Sequence, residues 1–422
     1  MMGSLLGGHP AAGQKTARRL IPVGVADLFL SQAFSLCASL VVTFASAELL
    51  GPAGRGQLAF IMAVANLGGA VAFGSLHVGI TYAHKSGDDT ALKRGLSLGV
   101  LASLVTFIIG LVFIIADLLL SGGSPRVYEM ALGTVGAAFV CSNLVVLRVR
   151  QGLGDAHQFR VAWSIQSGFY AVTALPAAFL FRSATAVILC WLVGLILGTG
   201  YALRGYFRAI TVPKRHFSTR EIATTSLAAH TGFTGIQLLY RADLVILSFF
   251  VTRGQLGIYS IAVPLAELTW VVSEALSLSA FSHYEANESA DSRIKHRARL
   301  LRINMASGLL GAICIGPAAW LLMPHLLPRY VDAVPLIFIL LPGVIVQGAA
   351  RITFSTLVSG GARKPAVTVG LLSAALCLIY IPFCDRWGIT GAAAASTTIY
   401  VTQAIVVVAI SRRQDRALAT KC

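Results

Sequence analysis

Acidic side chains are scarce in this chain: 17 Asp and Glu stand among 422 residues, and all four charged types together make up 12%. Soluble chains carry about a quarter charged residues, so water is not the solvent that this sequence is built for. No Gly-rich phosphate loop followed by Lys-Ser or Lys-Thr is present, nor a His-Glu-x-x-His zinc motif. ATP hydrolysis and zinc catalysis are therefore not expected, nor is any cofactor or metal. The seven cysteines lack metal-ligand spacing. Cys37, Cys141, Cys190, Cys314 and Cys377 fall inside apolar runs, as small apolar filler.

What the chain does have is apolar length: 56% hydrophobic residues and a mean hydropathy of +0.78. A membrane span needs about 20 mostly apolar residues, because hydrocarbon offers backbone amides no partner. Twelve such runs can be drawn: Leu20–Leu50, Gln57–Tyr82, Leu96–Leu120, Val127–Leu147, Val161–Phe181, Ala184–Leu203, Ile222–Val251, Leu256–Ser282, Ile303–Met323, Val334–Val358, Ala366–Phe383 and Ile389–Ile410. The expected fold is all-α, a polytopic membrane protein. Every loop that alternation assigns to the outer side is short, which leaves a membrane glycosyltransferase or polymerase nowhere to work.

Charge orients the spans. Alternation puts 25 of the 33 Lys and Arg residues on one side, around Lys15, Lys93, Arg148, Arg215, Arg297, Lys364 and Arg412. The other side holds Arg55, Arg126, Arg182, Arg253, Arg329 and Arg386. The basic side is cytoplasmic by the positive-inside rule, which places both termini inside. The net charge of +16 borders hydrophobic spans, where anionic lipid headgroups satisfy it, and nucleic acid is not an expected partner. Residues 1–19 are polar and precede an apolar run too long for a cleaved signal, so the first span itself directs insertion.

The chain also echoes itself. Arg55-Gly56-Gln57-Leu58 follows the first span, and Arg253-Gly254-Gln255-Leu256 follows the seventh; Gln151-Gly152-Leu153-Gly154 is answered by Ser359-Gly360-Gly361. An offset of six spans makes the repeat parallel, with substrate expected between the halves. The expected organisation is a tail at 1–19, a six-helix lobe at 20–203, a linker at 204–221 with five basic residues and Pro213, a second lobe at 222–410, and a tail at 411–422.

Charges inside a membrane cost about 3 kcal/mol each and persist where they face a wet cavity or a partner. His230, Thr234, Gln237 and Arg241 recur at i, i+4, i+7 and i+11, one polar stripe on the seventh span. Asp243 points away from Arg241 on a regular helix and needs another partner. Glu267 and Glu274 share a face of the eighth span, with Pro264 available to kink it. Shorter stripes bring Asp27 with Ser31, Asn66 with His77, and Gln347 with Arg351. Candidate substrate-binding residues are Arg241, Arg351, His230, Gln237, Gln347, Asn66, Arg55 and Arg253, and candidate coupling-ion residues are Asp27, Glu267, Glu274 and Asp243. The alternative is that these charges form interhelical pairs that only fix packing.

At this point the residues resemble a known family. Leu50-Gly51-Pro52-Ala53-Gly54-Arg55-Gly56, Gln151-Gly152-Leu153-Gly154 with Phe159-Arg160, Tyr240-Arg241-Ala242-Asp243, Pro328-Arg329-Tyr330 before Ala333-Val334-Pro335, Gly361-Ala362-Arg363-Lys364-Pro365, and Trp387-Gly388-Ile389-Thr390-Gly391 follow the order seen in the oligosaccharide flippases. These are the O-antigen and polysaccharide translocases of the multidrug/oligosaccharidyl-lipid/polysaccharide exporter superfamily. His77 stands where the family more often has proline, which puts the bend of the second span in doubt. The resemblance implies a bacterial cytoplasmic-membrane transporter, working as a monomer, that carries a lipid-linked oligosaccharide between inward-open and outward-open states. Partners would be membrane lipids, a polysaccharide polymerase and chain-length proteins. A drug/cation antiporter of the same superfamily and another twelve-span carrier remain the alternatives. The loop from His84 to Arg94 lacks the Asp-Arg-x-Gly-Arg pattern usual in major-facilitator carriers.

Overall fold

The computed structural model describes residues 23–88, 90–121, 125–153, 155–204, 217–282, 290–359 and 363–419. Every regular element among them is helical: α1 (Val23–Ala72), α2 (Leu76–Lys85), α3 (Ala91–Ser121), α4 (Pro125–Gly152), α5 (Ala156–Phe181), α6 (Ala184–Ala202), α7 (Thr219–Leu247), α8 (Arg253–Glu267), α9 (Trp270–Ser282), α10 (Ala290–Leu326), α11 (Ala333–Ser359), α12 (Arg363–Leu376) and α13 (Tyr380–Ala419). Eight of these helices, or nine with the bent pair α8–α9 taken as one, are long and apolar enough to cross a membrane. The all-α, multi-pass expectation holds.

Twelve crossings emerge once breaks are resolved. α1 has 50 residues; straight, it would run about 75 Å, more than twice the hydrocarbon thickness. It turns at Gly51, where φ is 68°, followed by Pro52. α13, with 40 residues, turns likewise at Gly388, where φ is 55°. α2 continues the second crossing beyond a break at Phe73–Ser75, and α9 continues the eighth beyond a 55° bend after Glu267. The second crossing of each half is thus broken midway. Such interruptions in a bilayer are tolerated where the freed backbone lines a cavity or is covered by protein.

Exposed apolar side chains mark the lipid side. Val100, Leu101, Leu104 and Ile108 of α3, and Leu309, Leu310 and Ile313 of α10, all face outward, which water would penalise and lipid does not. Inside, one core gathers Leu58, Ile61, Val187, Ile188 and Trp191, and another Tyr259, Ile261, Leu336, Ile337 and Ala392. The second core also takes in Ala47, Ala59, Phe60 and Ala63 of α1, so α1 belongs to both halves.

The halves meet at both ends of the second crossing. At the Gly51 end, a Cβ on Gly56 would lie 1.9 Å from the Arg253 carbonyl oxygen, and one on Gly257 would lie 2.0 Å from that of Pro52. Only glycines permit α1 and α8 to approach so closely. The Tyr330 hydroxyl donates to the Ala47 carbonyl at 3.0 Å beside them. At the other end, Asp88 accepts from the Phe217 amide at 2.7 Å, while Arg94 pairs with Asp88 and donates to the Phe217 carbonyl.

Several expected boundaries shift. α7 starts at Thr219, because Ser218 and Glu221 form a reciprocal cap, with Ser218 N donating to Glu221 at 2.6 Å and Glu221 N to Ser218 Oγ at 3.2 Å. Glu221 therefore belongs to the helix and not to the linker. The expected C-terminal tail continues α13 as far as Ala419. Residues 1–22 and 205–216, with the whole expected N-terminal tail and most of the linker, lie outside the described residues.

Candidate functional site

The broken eighth crossing gathers most of the charge. Arg241 of α7 meets Glu267, the last residue of α8, through a two-pronged contact with both N–O distances at 3.3 Å. A planar guanidinium matches a carboxylate this way, and pairing offsets the cost of holding both in a low-dielectric setting. The Arg241 side chain keeps 38% of its surface exposed, and Gln237, one turn earlier, is exposed as well. That part of the stripe faces open space.

One turn into α9, beyond the bend, Glu274 is ion-paired with Arg351 of α11. The Arg351 guanidinium lies over both the Tyr240 ring, at 4.7 Å, and the Trp270 ring, at 4.5 Å, which are themselves in contact. Its Nε donates to the Tyr240 hydroxyl at 3.2 Å. Gln347, one turn away on α11, donates to the same hydroxyl at 3.2 Å and to Gln403 at 2.6 Å. Trp270 is fixed by its own donation to the Val344 carbonyl at 2.7 Å. Cation–π contact with two rings and a paired acid locks Arg351 in place.

Asp243 lies apart from these pairs. It is buried, and it accepts from Tyr259 at 2.9 Å and from the Leu244 amide at 2.7 Å; Ser396 then links Tyr259 to Tyr380. His230 meets Thr234 at 2.9 Å and Ser75, at the break of the second crossing, at 3.4 Å. Asn66 turns back to its own helix and donates to the Met62 carbonyl at 2.7 Å.

Arg55 and Arg253 sit elsewhere than expected. Both were assigned to loops as substrate contacts, yet Arg55 is a buried residue of α1 that donates to Ser46 at 3.3 Å. Arg253 opens α8, pairs with Glu129 of α4 and lies 4.6 Å over the Phe60 ring. Fourteen helical residues, about 21 Å, separate it from Glu267. These two arginines brace the Gly51 end. Asp27 falls on α1, but its side chain lies outside the described residues.

Sequence reasoning missed two participants. Trp270 carries no charge and breaks no pattern, so only its place after the bend reveals it. Arg148 was assigned to a basic loop, but α4 runs on to Gly152 and carries Arg148 within it. Among the described residues no three His, Cys, Asp or Glu side chains stand close enough to hold a metal.

No protein-family profile and no curated protein sequence matches the chain. Solved structures do match its fold. An inward-facing multidrug resistance MATE family transporter of the MOP superfamily aligns with a TM-score of 0.67 at 14% identity, covering 91% of this chain and 96% of that one. An outward-facing structure of such a transporter aligns at 0.66 and 15% identity, covering 94% and 97%. A MOP superfamily transporter from Pyrococcus furiosus, described as having a binding pocket of reverse polarity, aligns at 0.63 and 13% identity, covering 94% and 96%. The all-helical fold is that of the MATE transporters, and opposite conformations match it equally.

Proposed function

We propose that the chain translocates a lipid-linked oligosaccharide, carried on a polyprenyl diphosphate, across the bacterial cytoplasmic membrane by ion-coupled alternating access. The observation that carries this reading is the unpaired arginine charge around the broken helices. Three arginines, Arg148, Arg241 and Arg351, stand there with three acids: Glu267 and Glu274 pair with Arg241 and Arg351, and Asp243 is buried against Tyr259, which leaves Arg148 without an ion pair among the described residues. An arginine left without a paired acid suits an anionic headgroup and disfavours a lipophilic cation. Sugars and diphosphate need polar groups to replace their hydration, while the polyprenyl tail can stay in lipid beside the exposed apolar face of α3. Glu267 and Glu274 are engaged by arginines, so Asp243 is the acid best placed to take a coupling ion without breaking an ion pair.

The multidrug descriptions of the structural relatives favour a second reading, a drug/cation antiporter. Deleting the gene separates the two. Lipid-linked oligosaccharide accumulating on the inner leaflet, with loss of surface glycan and restoration by the wild-type gene, is the expected result. Unchanged glycan with increased sensitivity to cationic drugs would replace flipping with drug export.

A further inference from the structure

Arg241 and Arg351 are each neutralised by a glutamate, but Arg148 is not. Its guanidinium donates to Gln151 at 2.8 Å, and among the described residues it makes no ion pair. Packing shows what surrounds it. α2 and α4 run parallel, and a Cβ on Gly152 would lie 2.5 Å from the Thr81 hydroxyl. One turn back along both helices, Arg148 comes level with His77, and the charge of Arg148 acts on that ring.

His77 lies at the seam between the halves. It stacks on Phe73 at 5.0 Å and meets Phe233 of α7 edge-on at 5.8 Å. Across the seam, the carboxylate whose charge reaches Arg148 is Glu274, already held by Arg351. Two buried polar atoms of α2 on this side, His77 Nδ1 and the Thr81 hydroxyl that faces Gly152, have no hydrogen-bond partner among the described residues. Buried polar groups are nearly always satisfied, so such orphans together with an unneutralised guanidinium leave an unmet demand for acceptor oxygens.

We infer that Arg148, His77, Thr81 and Gln151 form an oxyanion subsite in the N-terminal half, which binds a phosphate or carboxylate group of the transported glycolipid. The inference rests on the lipid-linked substrate proposed above and assigns its anionic group to this half. Arg148 supplies two parallel N–H donors, Thr81 an O–H, and His77 an Nδ1–H in the appropriate tautomer. Gln151 accepts from Arg148 and aims its fork.

The test measures equilibrium binding to the purified full chain in nanodiscs of zwitterionic lipid. Three probes are used: a neutral disaccharide on farnesyl diphosphate, the same disaccharide on farnesyl through an uncharged ether, and that ether with a terminal glucuronic acid. Two variants neutralise the subsite differently. Arg148→Gln removes the charge, and Gln151→Glu keeps Arg148 but pairs it in place, which guards against a fold defect. Both are expected to bind the diphosphate probe at least tenfold more weakly than wild type and the neutral ether probe unchanged, with Arg148→Lys intermediate. Loss confined to the glucuronate probe would also support the subsite and identify the carboxylate as its ligand. Two monodisperse variants that bind both charged probes like wild type would overturn the subsite while leaving the proposed function standing. Equal weakening for all three probes, the neutral one included, would overturn it in favour of a packing role. Wild-type protein that binds none of the probes would overturn both readings.

Discussion

At the level of single residues, Arg241 and Glu267 were readable as polar positions, but their pairing was not. They lie 26 residues apart on different helices, and only the packing of α7 beside α8 brings them together. On the proposed function, Arg241→Ala removes a headgroup contact, and it also strands Glu267. Because Arg241 is more than a third exposed, water screens part of that cost, leaving about 1.5–3 kcal/mol. The double variant Arg241→Gln with Glu267→Gln leaves no orphan charge. We expect it to restore membrane abundance towards wild type while glycan export stays at least tenfold lower; full export by the double variant would mean that the pair only fixes packing. Asp88 escaped the sequence reading because one of its partners, the Phe217 amide, comes from a backbone 129 residues away. Its side chain is fully buried and holds Arg94, Thr90 and the Phe217 amide. Burial alone would raise the carboxyl, but the hydrogen bonds from Phe217 and Thr90 and the neighbouring Arg94 outweigh it and hold it below its ordinary value. Asp88→Asn should cost about 3 kcal/mol at pH 7. A depressed acid stabilises above its unfolded value of about 4 and loses that contribution as pH falls through the lower folded value. Thermal unfolding in detergent should thus show the wild-type advantage constant from pH 7 to about 5 and shrinking only at more acid pH.

At the level of elements, the crossings were legible because bilayer thickness dictates the length of an apolar run, whereas the breaks were not. Ser75 adopts a left-handed conformation at φ 49°, and its neighbours carry no proline that would announce an interruption there. The bend after Glu267 falls four residues beyond Pro264, the kink expected in that span. Glycine packing was equally silent. Gly56 and Gly257 join α1 to α8 across the halves, while Gly235 and Gly370 join α7 to α12 inside one half, where a Cβ on Gly235 would lie 2.0 Å from the Gly370 carbonyl oxygen. The two contacts are alike in geometry and differ in what must move. Adding a methyl group at either costs at least about 1–3 kcal/mol by overpacking. If the halves rock, Gly370→Ala should lower abundance with activity per molecule kept, whereas Gly257→Ala should weaken closure at the Gly51 end and change the transport rate of each surviving molecule. Transport normalised to membrane protein level distinguishes the two, and equal specific activity for both variants would argue that the α1–α8 contact is static.

For the whole molecule, the parallel six-and-six repeat was the most legible feature of all, since echoed loops and charge bias both survive without any knowledge of packing. The direction in which the molecule is inserted rests on the charge bias alone. The structure sorts exposed cations into two sets by element: Lys93 before the third crossing, Arg299 on the first turns of α10 and Arg412 near the end of α13, against Arg182 after α5, Arg329 beside Gly51 and Arg386 before Gly388. The first set continues the basic side of the chain, and moving it across the membrane during insertion is disfavoured. Single cysteines at these six positions should therefore separate cleanly under a membrane-impermeant maleimide. The background must first lose its native thiols, because Cys37 and Cys314 are exposed and would react wherever reagent reaches them. In intact cells Arg182→Cys, Arg329→Cys and Arg386→Cys should label, while Lys93→Cys, Arg299→Cys and Arg412→Cys should label only in inverted vesicles. Labelling of all six from one side would mean that the twelve crossings have been miscounted. A clean reversal would keep the fold and turn the proposed direction of substrate movement around.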